Sequence, residues 1–195
     1  MSRCQLNRVG FFELIPVLLK TEHVILQGNM ISQNDLKIFS MKIQESKESM
    51  NLKTLDISSS NLTDESLHQI SKLAFLIENI ELHNSNFGPE GLKMFVKSFH
   101  KFEGGVLKSL NLRMCKLTDL CLEILSELVP HLFSVILSNN NFSGSSAVRT
   151  LAASIDQKAD LKLQHLDLRH SRVTTDMKKN LSEVCRKQKV DLKIW

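Results

Sequence analysis

The sequence predicts an α/β solenoid, a right-handed horseshoe arc in which short parallel β-strands line the concave face and α-helices line the convex face. Three observations predict it: an apolar template recurs along the chain, an amphipathic helical pattern follows it at fixed offsets, and N-cap residues stand between the two. One strand–helix unit cannot bury its strand leucines and its helix face alone, so successive units must stack on one another. Stacking then gives one continuous core.

The strand template is clearest between Leu52 and Leu62, which reads L-x-x-L-x-L-x-x-S-x-L. It recurs from residues 77, 107, 132 and 163, and a weaker copy without the first leucine begins at residue 21. Successive starts are 25 to 31 residues apart, which is close to the roughly 20–29 residues of leucine-rich repeats. The alternating apolar residues predict a short strand in each copy. They place these residues in the core: Leu55, Ile57, Leu82, Leu110, Leu112, Leu166 and Leu168.

A helix is predicted after each template, because apolar residues recur five, eight and twelve positions beyond its last apolar residue. In the fifth copy these residues are shifted by one place, and in the last copy Lys178 takes the first of the three positions. Phe87, for example, is followed by Leu92, Phe95 and Phe99, which share one face of a helix. The fourth position tends to be small, as at Gly91, where we expect the helix and a strand to approach closely. N-cap residues and a first-turn proline mark the expected helix starts. These are Ser32, Thr63, Pro89, Thr118 and Thr174 or Thr175.

The repeats predict one array over residues 1–195. Residues 21–189 hold six repeats, residues 1–20 hold a partial N-terminal repeat, and residues 190–195 alternate like a C-terminal capping strand. In the partial repeat only Arg3–Leu6 fits the template, with Cys4 at its Asn/Cys position. Terminal repeats normally carry a polar outer face, and none is predicted here. We therefore expect this chain to be the C-terminal portion, or a short isoform, of a longer protein.

Composition limits the classes of function. The chain is 42% hydrophobic and 24% charged, with a formal net charge of +4, which is typical of globular proteins. Aromatic residues make up 6% and include no tyrosine, so a base-stacking surface for a nucleic-acid partner is not expected. No stretch approaches the roughly 20 apolar residues of a membrane span. Without a recognisable signal peptide or a C-x-x-C pair, we expect a reduced, cytoplasmic protein.

No residue pattern typical of catalysis, a metal site or a cofactor site occurs in the sequence. The phosphate loop G-x-x-x-x-G-K-[ST], the dinucleotide motif G-x-G-x-x-G and the zinc motif H-E-x-x-H are all missing. The four cysteines, which are Cys4, Cys115, Cys121 and Cys185, occupy template or helix-core positions, where a structural role is expected. We therefore expect a non-enzymatic protein with no cofactor and no metal ion.

The concave face is the candidate functional surface. Residues that alternate with the strand leucines point away from the core, and the repeats align them in columns across the sheet. Curved repeat arrays commonly bind partners on this face, although a solvated wall without a ligand is an equally open interpretation. The candidate partner-binding residues are Asp56, Ser58, Glu81, His83, Asn111, Arg113, Ile136, Asp167 and Arg169.

The repeats resemble the ribonuclease-inhibitor type of leucine-rich repeat, which also occurs in intracellular receptors of the nucleotide-binding-domain, leucine-rich-repeat (NLR) family and in Ran GTPase-activating proteins. The segments LRMCKLTDLCLEIL and LDLRHSRVTTD are similar in style to NLR repeats. The resemblance implies a protein-interaction module that contributes to ligand sensing or autoinhibition in an innate immune or regulatory protein. Its partner would be another protein, including an upstream nucleotide-binding domain of the parent protein.

Two alternatives follow from the same resemblance. A Ran-type activator, or another regulator of small GTPases, would present polar residues of the concave face, with Arg113 or Asn111 the nearest candidates. A ubiquitin-ligase adaptor or a ribonuclease-inhibitor-like binder would share the fold, although the acidic, cysteine-rich character of the inhibitor is missing here. These alternatives differ only in the surface that the fold presents.

Overall fold

A computed structural model describes residues 8–46, 50–101 and 105–195, with side chains from Phe12 onward. The partial template at Arg3–Leu6, including Cys4, lies outside the described residues. The helices are α1 (Arg8–Lys20), α2 (Gln33–Glu45), α3 (Asp64–Ser71), α4 (Pro89–Lys101), α5 (Asp119–Leu125), α6 (Ser145–Gln157) and α7 (Thr175–Lys187), with a 3-10 turn at Val129–His131. The strands are β1 (His23–Ile25), β2 (Thr54–Asp56), β3 (Asn79–Glu81), β4 (Ser109–Asn111), β5 (Ser134–Ile136), β6 (His165–Asp167) and β7 (Asp191–Lys193).

The strands form one parallel sheet in chain order, from β1 to β7. Equivalent residues of neighbouring strands lie side by side, so that Leu55 pairs with Val24 on one side and Ile80 on the other. The helices between the strands pack against one another in the same order. Parallel strands in sequence, each joined to the next by a helix, make a leucine-rich-repeat solenoid, and the predicted fold class is confirmed. We call the sheet face that points away from the helices the concave face.

The core lies between the sheet and the helices. All seven residues that the template places there are 1% exposed or less, so this prediction is confirmed. The shifted apolar residues of the fifth repeat, Val148, Leu151 and Ile155, are buried as well. Burial of one such side chain contributes about 1.5–3 kcal/mol relative to exposure, and the stack repeats this contribution along its whole length.

The helices of the described residues are short, and the longest span 13 residues. Crossing a bilayer takes about 20 predominantly apolar residues. Within the described ranges no helix reaches the length and apolar character that a membrane crossing requires.

The helix starts are satisfied in different ways. The hydroxyl of Ser32 accepts a hydrogen bond from the amide of Asp35. The carboxylate of Asp35 accepts one from the amide of Ser32, and the two bonds form a capping box before α2. Thr63 likewise accepts an amide of the first turn of α3. Thr118 and Thr174 stand at the predicted positions before α5 and α7, but neither side chain caps a described helix. The expectation of a side-chain cap is therefore wrong at these two residues.

The helices α3 and α4 touch closely at their first turns. The carboxylate of Asp64 on α3 accepts the amide of Gly88, which lies directly before the start of α4 at Pro89. A Cβ atom on Gly91 would lie 2.8 Å from the Cα of Asp64, which is too close for packed atoms. The predicted small residue is therefore needed, but its close neighbour is α3 rather than a strand.

Asn140 links two repeats from inside the turn that follows β5. Its Oδ1 accepts the amides of Cys115 and Leu117 at 3.1 and 3.0 Å. Its Nδ2 donates to the carbonyls of Leu112 and Leu137 at 2.9 and 2.8 Å. Because both ends of the carboxamide are occupied, this buried polar side chain stabilises the turn and holds the concave face in register.

Candidate functional site

The structure aligns the candidate residues across the concave face in two neighbouring columns. The first column holds the last residues of successive strands, and the register pairs them directly across the sheet. They are Asp56, Glu81, Asn111, Ile136 and Asp167. The second column holds the residues two positions further along, where each chain segment leaves its strand. They are Ser58, His83, Arg113, Ser138 and Arg169.

A hydrogen-bonded row crosses the middle of the concave face. Gln27 Nε2 lies 3.1 Å from His83 Nε2, and the other ring nitrogen of His83 lies 3.7 Å from the carboxylate of Glu81. Asn111 Nδ2 donates to Glu81 Oε2 at 2.6 Å. Four polar side chains from three repeats therefore lie side by side on the wall, and two hydrogen bonds help to fix their positions.

Glu81 supplies the carboxylate of this row, and its surroundings shift its pKa. Burial raises the pKa of Glu81 above its usual range, and the nearby charge of Asp56 adds to the rise. The hydrogen bond from Asn111 and the neighbouring His83 act in the opposite direction and lower the pKa. Because burial is the largest contribution, Glu81 is a site where a proton or a cationic group of a partner would relieve an unfavourable charge.

Asp56 and Ser58 form a closed pair within one repeat. The amide and the hydroxyl of Ser58 both donate to Asp56 Oδ1, at 3.0 and 2.6 Å. Ser58 is 0% exposed, so the structure places this candidate residue below the accessible surface. Its donors are used to hold the turn, and any effect on a partner would pass through Asp56.

Asp167 and Arg169 form a second pair. Arg169 donates from its amide and from Nε to Asp167 Oδ1, both at 3.0 Å, and from Nη2 to Oδ2 at 2.8 Å. Burial alone would raise the pKa of Asp167, but the hydrogen bonds and charge of Arg169, together with the charge of Lys193, lower it below its usual range. Asp167 is buried beneath this contact and Arg169 remains exposed, so the accessible part of the pair is the guanidinium.

A cavity of about 300 Å³ opens on the concave face between the two arginines. It is lined by Asn111, Arg113, Ile136, Ser138, Asn139, Asp167, Arg169 and His170. Arg113 is exposed, and its guanidinium makes no hydrogen bond or ion pair with any residue that the structure describes. The guanidinium of Arg113 is therefore available to a ligand in this cavity.

The cavity brings together five of the predicted candidates and leaves the others outside. Asn111, Arg113, Ile136, Asp167 and Arg169 line it, whereas the candidates of the two preceding repeats lie further along the wall.

Sequence reasoning missed three of the lining residues. Ser138 lies in the second column but is not among the predicted candidates. Asn139 and His170 lie one residue beyond that column, in left-handed turns with φ of 60° and 56°. Asparagine tolerates this backbone conformation, so of these two residues only Asn139 has a type that is typical of such a turn.

The described residues offer little for catalysis or metal binding. No group of three or more histidine, cysteine, aspartate or glutamate side chains among them is arranged to hold a metal ion. Burial raises the pKa of the Cys115 thiol to about 11 and that of the Cys185 thiol to about 12. The thiolate is the reactive form of cysteine, so both of these buried cysteines are expected to be poor nucleophiles.

Comparison with known proteins supports the repeat. A family model described as Leucine Rich repeat matches residues 48–70. An internalin from Listeria monocytogenes aligns with 97% of this chain and 56% of its own at 15% identity and a TM-score of 0.49. A leucine-rich-repeat protein from Leptospira interrogans aligns with 91% of this chain and 50% of its own at 15% identity and a TM-score of 0.46. The chain thus spans about half the length of these two proteins. No curated protein matches the sequence significantly.

Proposed function

We propose that this chain is a non-enzymatic protein-interaction module whose partner protein binds the concave face. The observation that carries the proposal is the cavity beside Arg113, where a guanidinium and neighbouring polar groups are presented without an internal partner. Elsewhere on the wall several polar side chains bind one another, as Ser58 binds Asp56 and Asn111 binds Glu81. Curved repeat arrays offer this kind of extended surface to protein partners.

The test compares a concave variant with a convex one. The purified chain, Arg113→Gln and Arg149→Gln are immobilised, and the proteins retained from cytosol are quantified by mass spectrometry. Arg149 lies exposed on α6, so it matches the change of charge on the opposite surface. We expect a partner that the wild type and Arg149→Gln retain and Arg113→Gln loses. Equal retention by all three, or loss with Arg149→Gln, contradicts binding through the concave face.

We further propose that the module is the repeat region of an NLR-like innate immune or regulatory protein in the cytoplasm, with a role in ligand sensing or autoinhibition. The support is the resemblance of LRMCKLTDLCLEIL and LDLRHSRVTTD to repeats of that family. The natural partner is then an upstream nucleotide-binding domain of the parent protein. Sequencing the full transcript tests this role directly: a nucleotide-binding domain upstream supports it, and an unrelated upstream domain contradicts it.

The exposed guanidinium of Arg113 also favours a second candidate, an activator of a small GTPase. A cation placed near the transferred phosphoryl group stabilises the charge that develops in hydrolysis. The assay measures GTP hydrolysis by a panel of small GTPases with and without the chain. Acceleration that Arg113→Gln abolishes would favour this activity over simple binding, and unchanged hydrolysis across the panel would remove the candidate.

A further inference from the structure

The turns after three of the described strands share a hydrogen bond that uses one backbone donor of the concave face. In three repeats the last residue of the strand accepts, through its side-chain Oδ1, the amide of the residue two positions later, at 3.0 Å in each case. The donor and acceptor pairs are Ser58 and Asp56, Arg113 and Asn111, and Arg169 and Asp167. An aspartate or asparagine oxygen is therefore what this amide position binds inside the fold itself.

In the repeat that contains β5 this acceptor is missing. Ile136 occupies the strand position and offers no oxygen. The amide and the hydroxyl of Ser138 consequently make no hydrogen bond with any described residue. Ser138 is 3% exposed, and it lines the cavity between Arg113 and Arg169. Two donors without an internal partner at a cavity wall are available to an oxygen of a ligand or of solvent.

The charges around Ser138 point to the sign of that ligand. The guanidinium of Arg113 is unpaired on one side of the cavity. On the other side Arg169 uses Nε and Nη2 to bind Asp167, and its Nη1 makes no hydrogen bond with the described part of the chain. Two guanidinium groups and one carboxylate leave one net positive charge. The cavity therefore offers N–H and O–H donors from three residues to a single negative charge.

We propose that this cavity, which we call the Ser138 pocket, binds one carboxylate of the partner protein, supplied by an aspartate or glutamate side chain in an acidic segment. The inference rests on the proposed binding of a protein to the concave face and names the chemistry that the partner presents there. One carboxylate oxygen accepts from the amide and hydroxyl of Ser138, as Asp56 accepts from Ser58. The other oxygen accepts from Arg113, and such charge-assisted hydrogen bonds are the strong ones.

A carboxylate fits the pocket better than a phosphate group. The single net positive charge balances one negative charge, whereas a phosphate dianion would also be repelled by Asp167. The recurring internal acceptor is an aspartate or asparagine oxygen, so the geometry around Ser138 already suits a planar group. The volume of about 300 Å³ lies at the lower end of the range of small-ligand sites, which suits a side chain rather than a folded loop.

The experiment titrates the isotope-labelled chain with capped hexapeptides of one length and observes backbone amide and arginine Nε–H resonances by NMR. The acidic probe alternates leucine with glutamate, and its analogues carry glutamine, lysine or phosphoserine in place of glutamate. We expect the acidic probe to shift the amide of Ser138 and the Nε–H of Arg113, and the glutamine analogue to leave both unchanged. Arg113→Gln should weaken binding about tenfold, as expected for one charge-assisted hydrogen bond.

Two further variants separate the pocket from the general charge of the protein. Arg149→Gln makes the same change of charge on the convex surface and should leave the affinity unchanged. Ser138→Ala removes the hydroxyl but keeps the amide, so it should weaken binding less than Arg113→Gln does. Amide spectra of the free variants show directly whether each is folded.

Three outcomes overturn the inference. Equal binding of the glutamate and glutamine peptides excludes recognition of a carboxylate, and tighter binding of the phosphoserine peptide assigns the pocket to phosphate. A lysine peptide that shifts resonances near Asp56 and Glu81, with no response to the acidic probe, contradicts the carboxylate pocket while leaving the concave face as a binding surface. Loss of the cytosolic partner in Arg149→Gln but not in Arg113→Gln contradicts the proposed function instead.

Discussion

Ser58 and Ser138 occupy the same position in their repeats, and the carbonyl of each accepts an amide of the preceding repeat, but their own amides and hydroxyls differ. The amide and hydroxyl of Ser58 both bind Asp56, whereas those of Ser138 bind no described residue. The backbone after the strand, the residue type and the depth of burial are alike in the two places. The difference lies two residues earlier, where one strand ends in Asp56 and the other in Ile136.

This comparison shows how a repeat fold divides its polar groups between stability and binding. The stacked strands fix where each backbone amide points, whatever the side chains are. One side chain at the end of the strand then decides whether that amide is used inside the fold or remains available at the surface. Arg169 represents an intermediate case, because it binds Asp167 with part of its guanidinium and keeps the rest exposed.

The largest expected effect comes from opening the closed pair with Asp56→Ala. The buried amide and hydroxyl of Ser58 would lose their acceptor, and we expect the free energy of unfolding to fall by about 2 kcal/mol. Asp56→Asn is the matched control, because asparagine keeps an acceptor oxygen and Asn111 already serves Arg113 in this way. Urea unfolding at neutral pH measures both. Equal losses in the two variants would show that the charge of Asp56, and not its oxygen, holds the pair.

A smaller effect is expected from Ile136→Asp, which adds the missing acceptor two residues before Ser138. The new carboxylate would accept from the amide and hydroxyl of Ser138, and we expect the free energy of unfolding to rise by about 1 kcal/mol. Hydrogen exchange at the amide of Ser138 should slow towards the rate at Ser58. Ile136→Ala removes the same side chain without adding an acceptor and should not slow this exchange. Unchanged exchange in the aspartate variant would contradict the proposed equivalence of the two positions.

The sequence predicted the repeat, the core and the columns, because each depends on periodicity. Leucines such as Leu55 and Leu110 recur at positions that a stacked strand must bury, and the same period aligns Asp56 with Glu81. The accessibility of single candidates could not be predicted this way. Asp167 is 9% exposed because the side chain of Arg169 covers it, and periodicity carries no information about such contacts.

The Ser138 pocket was equally hidden from sequence reasoning, for a different reason. Ile136 is an ordinary strand residue in the sequence. Its lack of an acceptor oxygen matters only because Asp56, at the same position of another repeat, accepts hydrogen bonds from Ser58. Asn139 and His170 reach the pocket from left-handed turns, where the alternation of strand residues no longer applies.

The smallest expected effect tests the hydrogen-bonded row beside these two pairs, through the pH dependence of Glu81. Burial and the charge of Asp56 raise the pKa of Glu81 in the folded chain. Between the unfolded and the folded pKa the folded state binds more protons, so stability falls as pH rises through this window. At neutral pH the charged Glu81 therefore destabilises the fold, and Glu81→Gln should be more stable than the wild type.

This advantage should shrink as pH falls below about 4.3, the ordinary pKa of glutamate, because Glu81 is then protonated in both states. The glutamine oxygen can still accept from Asn111, so the row itself is kept. Urea unfolding at pH 7 and pH 4 measures the difference, and Glu183→Gln, an exposed change of the same charge on α7, serves as the control. If Glu81→Gln were less stable than the wild type at pH 7, the contacts from Asn111 and His83 would outweigh burial, and this half of the wall would be held by its charge.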